Sequence, residues 1–266
     1  VVGCCLAIAL SDVGLTVALV DKINPRSQIK SKFDGRASAI AATPKKMLKQ
    51  IGVWQKLKKS TTPIKDIRVV EGDSRLFLHY NHQDADCDAL GHMVENRHLR
   101  QACISKIQDD ENIFFIAPTQ IDKMSVQAHG INATLDNGTN VKASLLVGAD
   151  GRGSKTRETA GIKCVKRAYP QIAITFSVNH ELPHFNIAYE RFFPSGPFAI
   201  LPLSAGKSNK HRSAIVWTEK KDLAEIILNL SSRDFTNEFK RRFGEHLGRF
   251  DFFGPREVFR WICNKI

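Results

Sequence analysis

The sequence predicts an α/β protein in which a Rossmann-like layer is interleaved with a mixed or antiparallel sheet that covers it. Three observations carry this. The chain opens with a helical stretch, Gly14, a short β-branched run and Asp21. Near its middle an apolar triplet, Leu145-Leu146-Val147, runs straight into Gly148-Ala149-Asp150-Gly151. Beyond Gly161, apolar and polar residues alternate as they do in strands with one face buried.

The elements follow in order. Residues 3–13 (Cys4, Cys5, Leu6, Ala7, Ile8, Ala9 and Leu10 among them) are small and apolar nearly all round, which marks a buried helix. Gly14 ends it, and residues 16–20 form a strand that delivers Asp21. This is the second half of a βαβ unit, with Gly3 as the last glycine of a GxGxxG whose earlier part precedes Val1. Residues 45–57 keep a helical rhythm (Met47, Leu48, Ile51, Trp54, Leu57), loosely interrupted by Gly52. Strands are expected at 67–70 and 76–80 around a Gly72-Asp73 turn. A helix at 96–107 turns Leu99, Ala102, Cys103, Ile104 and Ile107 inward. Strands at 113–116 and 123–127 lead to a hairpin, 131–135 with 139–143, whose Asp136-Asn137-Gly138 turn favours positive φ. Residues 145–147 read as a buried strand, and Ser154 is placed to cap a helix over 156–160. Strands follow at 172–178, 188–193, 198–203 and 213–217, then helices near 223–230 and 235–243.

The 266 residues are 42% apolar with 17 glycines, enough for a sizeable core in one large domain or two intimate ones. That excludes a disordered tail or a disulfide-stapled mini-protein. The longest apolar run, residues 1–10, is half of what a membrane span needs. No basic segment precedes it, so it is not a secretory signal, and a chain starting with Val reads as one that has lost its beginning. The six cysteines (Cys4, Cys5, Cys87, Cys103, Cys164, Cys263) form no CxxC pair and have no nearby histidine at metal-ligand spacing. They imply buried thiols in a reducing compartment and no metal site. Net charge is +12, of which residues 22–68 hold +11: thirteen Lys or Arg against Asp34 and Asp66. Few aromatics and no nucleic-acid module accompany that surplus, so nucleic acid is not the expected partner. A solvated helix face, an anionic lipid surface or a diphosphate ligand remain open.

A glycine turn before a helix presents free N–H groups to a pyrophosphate, and Asp21 can accept hydrogen bonds from a ribose diol. The glycines of 148–153 let backbone approach a ligand. Asp150 would repel a bare phosphate, so it is expected to orient backbone and ribose hydroxyls. The bland alternatives are a turn-forming aspartate and a strand-to-helix turn. His79, His82, His92 and His98 read as scattered surface or turn histidines.

Five motifs recur in one order: helix-strand-Asp21, Asp34-Gly35-Arg36-Ala37-Ser38, Val94-Glu95-Asn96-Arg97-His98-Leu99, Gly148 to Ser154, and Pro194-Ser195-Gly196-Pro197-Phe198-Ala199-Ile200-Leu201. Across about residues 1–256 the chain resembles the FAD-dependent ubiquinone-biosynthesis hydroxylases, the UbiH-like group of aromatic flavoprotein monooxygenases. The resemblance implies an incomplete aromatic-hydroxylase fold. Residues 1–70 and 96–165 would bind FAD; 71–95 would supply substrate-side strands and 166–266 a substrate-side sheet with helices. It implies that Gly3 and Asp21 hold the ADP half of FAD, and that Arg36 lies near the flavin and its diphosphate. Arg97 would reach the cofactor from its helix. Asp150, followed by Gly151, would belong to the second dinucleotide motif, tied to FAD and to passing NAD(P)H. Phe198 and Leu201 would face an aromatic substrate. No catalytic side chain is assigned.

The implied reaction is hydroxylation of a polyprenylated phenol in ubiquinone biosynthesis with NAD(P)H and O2, in the cytoplasm or at the periphery of the inner membrane, alone or within a quinone-synthesis assembly. Related flavin chemistry, reductase or halogenase, is the second enzyme reading. The first strand of the family and its later Gly-Asp motif are not found, Gly72-Asp73 being a decoy. A truncated, non-catalytic remnant or binding component is therefore the alternative.

Overall fold

A computed structural model describes residues 1–29, 33–72, 74, 76–205 and 210–265, the last six of these by backbone alone. Asp73, half of the expected glycine–aspartate turn, lies outside them.

The first layer is built on helix α1 (Val2–Ser11), strand β1 (Val17–Val20) and a short helix α2 (Pro25–Ile29). Strand β2 (Ala37–Ala41) leads into α3 (Ala42–Gln50) and α4 (Val53–Leu57). The helix expected over 45–57 is thus two helices, and the break is at Gly52, whose φ of +72° no continuous helix accepts. Next come β3 (Thr61–Ile64), β4 (Asp66–Glu71), β5 (Phe77–Asn81), β6 (Gly91–Glu95), α5 (Asn96–Gln108) and β7 (Ile113–Ile116). β1 and β7 pair in parallel, Val17 opposite Ile113, so a crossover separates them. α1, apolar nearly all round, and the apolar stripe of α5 pack on each other. Ile8, Val53 and Leu57 are fully buried there, with Cys5, Cys103 and Ile107 beside them.

Strands β8 (Ile121–Gln127), β9 (Gly130–Leu135) and β10 (Asn140–Ala143) form a separate antiparallel meander, as the turn at 136–138 predicts. A short helix α6 (Lys155–Thr159) follows. The remaining chain supplies β11 (Val165–His180), β12 (Ile187–Phe193), β13 (Gly196–Leu203), β14 (His211–Lys220), α7 (Lys221–Leu228), α8 (Ser232–Phe243) and β15 (Phe250–Lys265). Their strands join β4 and β5 in a seven-stranded mixed sheet in the order β15-β11-β14-β13-β12-β4-β5, in which, among the described residues, β12 and β4 pair in parallel and the other neighbours antiparallel. One face carries α7 and α8 over an aromatic core in which Phe176, Phe198, Trp217, Phe235, Phe239 and Phe243 are at most 1% exposed. The other face meets the three-stranded sheet β2-β6-β3 through Ile64, Met93, Ala188, Leu203 and Ala214.

Residues 71–95 are divided between these sheets, β5 edging the large one and β6 centring the small one. β5 is bare: Leu76, Phe77, Leu78 and Tyr80 are each at least half exposed.

Several expectations need correction. Residues 145–147 form no strand, and Leu145 is 76% exposed. An apolar run becomes a strand only with a ladder partner, and β1, the available neighbour, pairs only with β7 among the described residues. β2, β3, β6 and β15 are strands that no alternating pattern announced. Cys87 and Cys164 are half-buried rather than buried; Cys4, Cys5 and Cys103 are buried as expected. His92 and His98 are half-buried rather than fully on the surface. His92 packs edge-on against Trp54, and burial aided by Lys45 pushes its imidazole down to about 4. Among the described residues no helix is long and apolar enough to cross a membrane.

Candidate functional site

The residues singled out by the sequence fall in two groups. The first surrounds the start of α1. Gly3 lies so close to its neighbours that an added methyl would sit 3.2 Å from Ala149 Cβ and 3.6 Å from Leu19 Cδ1. The glycine therefore lets α1 approach both β1 and the Gly148–Gly151 segment, which brings the two sequence motifs together.

Asp21 leaves β1 with its backbone fixed on both sides. Its N–H donates to the Ile116 carbonyl (3.2 Å), and its own carbonyl accepts from Thr119 N–H (3.0 Å). One side-chain oxygen accepts from Ile23 N–H (2.8 Å), and the residue is half-buried.

Asp150 is committed within its own loop. It accepts from Ser154 Oγ, from Thr156 N–H (3.0 Å) and from Thr156 Oγ1 (3.1 Å). Partial burial raises its pKa, but these donors outweigh that and hold the carboxyl below the usual range. Ser154 caps α6 as expected, accepting from Arg157 N–H at 3.0 Å. Asp150 thus fixes the loop shape, while Gly151, at φ +86°, has open space where a side chain would be.

The second group is cationic and aromatic. Glu95 ends β6 only 1% exposed, and it accepts from Arg97 Nε (2.6 Å) and from Arg212 Nη2. Arg212 reaches in from β14, 3% exposed, its guanidinium 5.4 Å from the Phe33 ring centroid and 5.0 Å from that of Phe253. Its Nε is buried with no hydrogen-bond partner. Arg97 also stands over Phe33 at 5.6 Å. Burial lowers the pKa of neighbouring His98 despite Glu95, so the imidazole adds no further positive charge. Two arginines against one carboxylate leave a net positive site.

Arg36 is exposed, with its guanidinium 4.7 Å from the centroid of Phe259. The Arg36 carbonyl accepts from Asn96 N–H (3.0 Å), and Ser38 Oγ donates to Asn96 Oδ1 (2.7 Å), which joins β2 to the start of α5. β15 crosses this segment tightly: a methyl on Gly35 would meet the Pro255 carbonyl oxygen at 2.9 Å, and one on Gly254 would meet Phe33 at 2.9 Å.

The two substrate-side expectations separate. Leu201 is partly buried on the face toward the small sheet. Phe198 is three residues away on the same strand and so points to the opposite face, 1% exposed among Trp217 and Phe239. It is a core residue under α8 and does not share a surface with Leu201. On the Leu201 face, sequence reasoning missed Glu190, whose carboxyl burial pushes up. It also missed the Glu95–Arg212 pair. Glu95 stood inside a recognised string, but Arg212 has no local signal: only the β14 register brings it there.

A glycine-spaced helix start, a β-strand aspartate, the parallel β1–β7 pair and a broad mixed sheet, together with the Glu95–Arg97–Arg212 cluster, mark a dinucleotide-binding α/β protein of the aromatic-hydroxylase architecture. The chain belongs to the FAD-binding-domain family, whose model matches residues 1–256. The ubiquinone hydroxylase UbiL of Rhodospirillum rubrum is 43% identical over 259 residues, covering 97% of this chain and 59% of that protein. The 3-demethoxyubiquinol 3-hydroxylase of Escherichia coli is 26% identical, over 93% of this chain and 62% of its own length. The chain thus spans about three fifths of these relatives. Among solved structures, PqsL of Pseudomonas aeruginosa superposes with a TM-score of 0.77 at 17% identity, covering 95% of this chain and 70% of that one. The p-nitrophenol 4-monooxygenase PnpA of Pseudomonas putida gives 0.75 at 14%, covering 99% and 66%. Both show the fold.

The residues present suit FAD. The net positive arginine cluster and the orphaned Arg212 Nε call for an acceptor-rich group, and the open Gly151 loop leaves room for backbone contact.

Proposed function

We propose that this chain forms the flavin-binding and substrate-facing part of an FAD-dependent monooxygenase that hydroxylates the aromatic ring of a polyprenylated phenol in ubiquinone biosynthesis, with NAD(P)H and O2. The carrying observation is 43% identity to a ubiquinone hydroxylase along 97% of the chain. Bound FAD supplies the electron transfer and oxygen activation. The chain's own residues bind and orient. In this reading Gly3 and Asp21 take the adenosine end, Asp21 accepting from the ribose. Asp150 holds the Gly151 loop in shape. Arg36, Arg97 and Arg212 hold anionic and carbonyl oxygens, and Glu95 keeps two of these guanidinium groups aimed. The apolar face around Leu201 admits the ring and excludes water.

The partner reading extends to anionic lipid at a membrane periphery and to a quinone-synthesis assembly. Lys46, Lys49, Lys56, Lys58 and Lys59 are exposed along α3, α4 and the turn after them, which gives a cationic surface. Co-sedimentation with anionic but not zwitterionic vesicles tests the lipid contact.

The central test is reconstitution of the purified chain with FAD. The expected result is a flavin spectrum and NAD(P)H oxidation stimulated by a short-chain polyprenyl phenol, with a hydroxylated product. Bound flavin without phenol-dependent oxidation supports the binding-component reading instead. A folded chain that takes up no flavin overturns the proposal.

A further inference from the structure

Cys5 on α1 and Cys103 on α5 lie ninety-eight positions apart in sequence, yet their sulfurs are 3.8 Å apart. Both side chains are buried, 8% and 1% exposed, in the core that joins the two helices. Neither has a place in the cofactor chemistry above, and apolar residues would fill the same space. Cys5 lies two residues after Gly3, and Cys103 six after Arg97, so the pair links the two helices whose beginnings line the candidate site.

We propose that Cys5 and Cys103 form a peroxide-sensitive dithiol that closes reversibly into a disulfide tying α1 to α5. The two sulfurs are unequal. The sulfur–sulfur contact with Cys103 holds the Cys5 thiol down at about 7 against the effect of burial, and the same contact together with burial pushes Cys103 up. Cys5 is therefore the nucleophile and Cys103 the resolving thiol. The Cys5 thiolate attacks one oxygen of hydrogen peroxide, the O–O bond breaks, and the departing hydroxide takes a proton to leave as water. Cys103 sulfur then displaces hydroxide from the Cys5 sulfenic acid, forming the S–S bond and a second water. Two thiols are oxidised, one peroxide is reduced to two waters, and atoms balance. A disulfide holds its sulfurs at about 2 Å, so closure pulls the helices together. A methyl on Gly3 would lie 3.2 Å from Ala149 Cβ, so a movement of α1 toward α5 is felt where its start borders the Gly148–Gly151 segment.

This inference does not depend on hydroxylase activity. The test is treatment of the purified full chain with hydrogen peroxide, followed by alkylation, non-reducing digestion and mass spectrometry. The expected result is a peptide pair joined through Cys5 and Cys103, two hydrogens lighter than the free peptides and separated again by dithiothreitol. It disappears in Cys5→Ser and in Cys103→Ala but persists in Cys87→Ser, the half-buried control. Flavin affinity of the oxidised chain is expected to fall several-fold and to recover on reduction. Peroxide that oxidises Cys87 or Cys164 while Cys5 and Cys103 remain free thiols overturns the proposal. So does a cross-link running from Cys5 to any other cysteine.

Discussion

Glu95 accepts from two arginines while almost wholly buried, so its neighbours cannot be removed singly without cost. Arg212→Met leaves the carboxylate with one partner inside the protein, a change worth about 3–5 kcal/mol of stability. Urea denaturation should show that loss, and flavin uptake should fall with it. Asp21 is the opposite case, because its main chain is held independently by Ile116 and Thr119. Asp21→Asn keeps an oxygen for Ile23 N–H but removes the charge that a ribose hydroxyl would favour. Stability should stay within about 0.5 kcal/mol. The FAD dissociation constant should rise about tenfold, the equivalent of about 1.4 kcal/mol. A fluorescence titration giving wild-type affinity would remove Asp21 from the site.

Helix α8 shows how far one element can be argued from pattern. Phe235, Phe239 and Phe243 recur every four residues, and all three are completely buried against the large sheet. Phe239→Ala should cost about 3–5 kcal/mol, readable as an earlier urea midpoint with unchanged slope. The same periodicity made α5 and α7 legible, and an apolar surface nearly all round did so for α1. Alternation did the same for β12, β13 and β14, and the Asp136-Asn137-Gly138 turn for the β9–β10 hairpin. Elements that depend on distant partners were not legible. Ala37–Ala41 becomes a strand through its pairing with β6, and Phe250–Lys265 through its long ladder with β11. Leu145-Leu146-Val147 has strand-forming residues and no such neighbour. The site divides along the same line. Gly3, Asp21, Arg97 and Asp150 stand in local motifs, whereas Arg212 and Glu190 enter only through sheet register, and the same register sends Phe198 away from Leu201.

At the scale of the molecule, histidines give the fold a defined acid limit. His180, His184 and His211 cluster at one end of the large sheet, with ring centroids 6.0–6.4 Å apart. His180 Nδ1–H donates to the Leu182 carbonyl, and its Nε2 lies 3.0 Å from Ser213 Oγ, an arrangement that the neutral imidazole satisfies by accepting from the hydroxyl. Burial pushes it down to about 4; the Leu182 carbonyl offsets this in part, while His184 and His211 reinforce it. Burial lowers His184 and His246 as well, and His92 falls to about 4. Unfolded imidazoles titrate near 6.5, so between that value and about 4 the unfolded chain binds more protons than the folded one. Stability from these residues is complete above about pH 6.5 and is lost as pH falls toward 4. Thermal midpoints should drop steeply between pH 6.5 and 4.5, and less steeply for a His92→Gln, His184→Gln double variant.

The uncovered strand β5 sets how the protein behaves in a test tube. Its backbone edge, unpaired among the described residues, and the exposed side chains of Phe77, Leu78 and Tyr80, with Leu76 just before them, invite edge-to-edge pairing with another copy. The charge of +12 opposes such encounters only while it is felt at a distance, and in about 0.15 M salt the Debye length shrinks to about 8 Å. Solutions kept clear in dilute buffer should therefore scatter light as sodium chloride is added. Leu78→Lys, which places an ammonium group among those side chains, should delay the onset of turbidity.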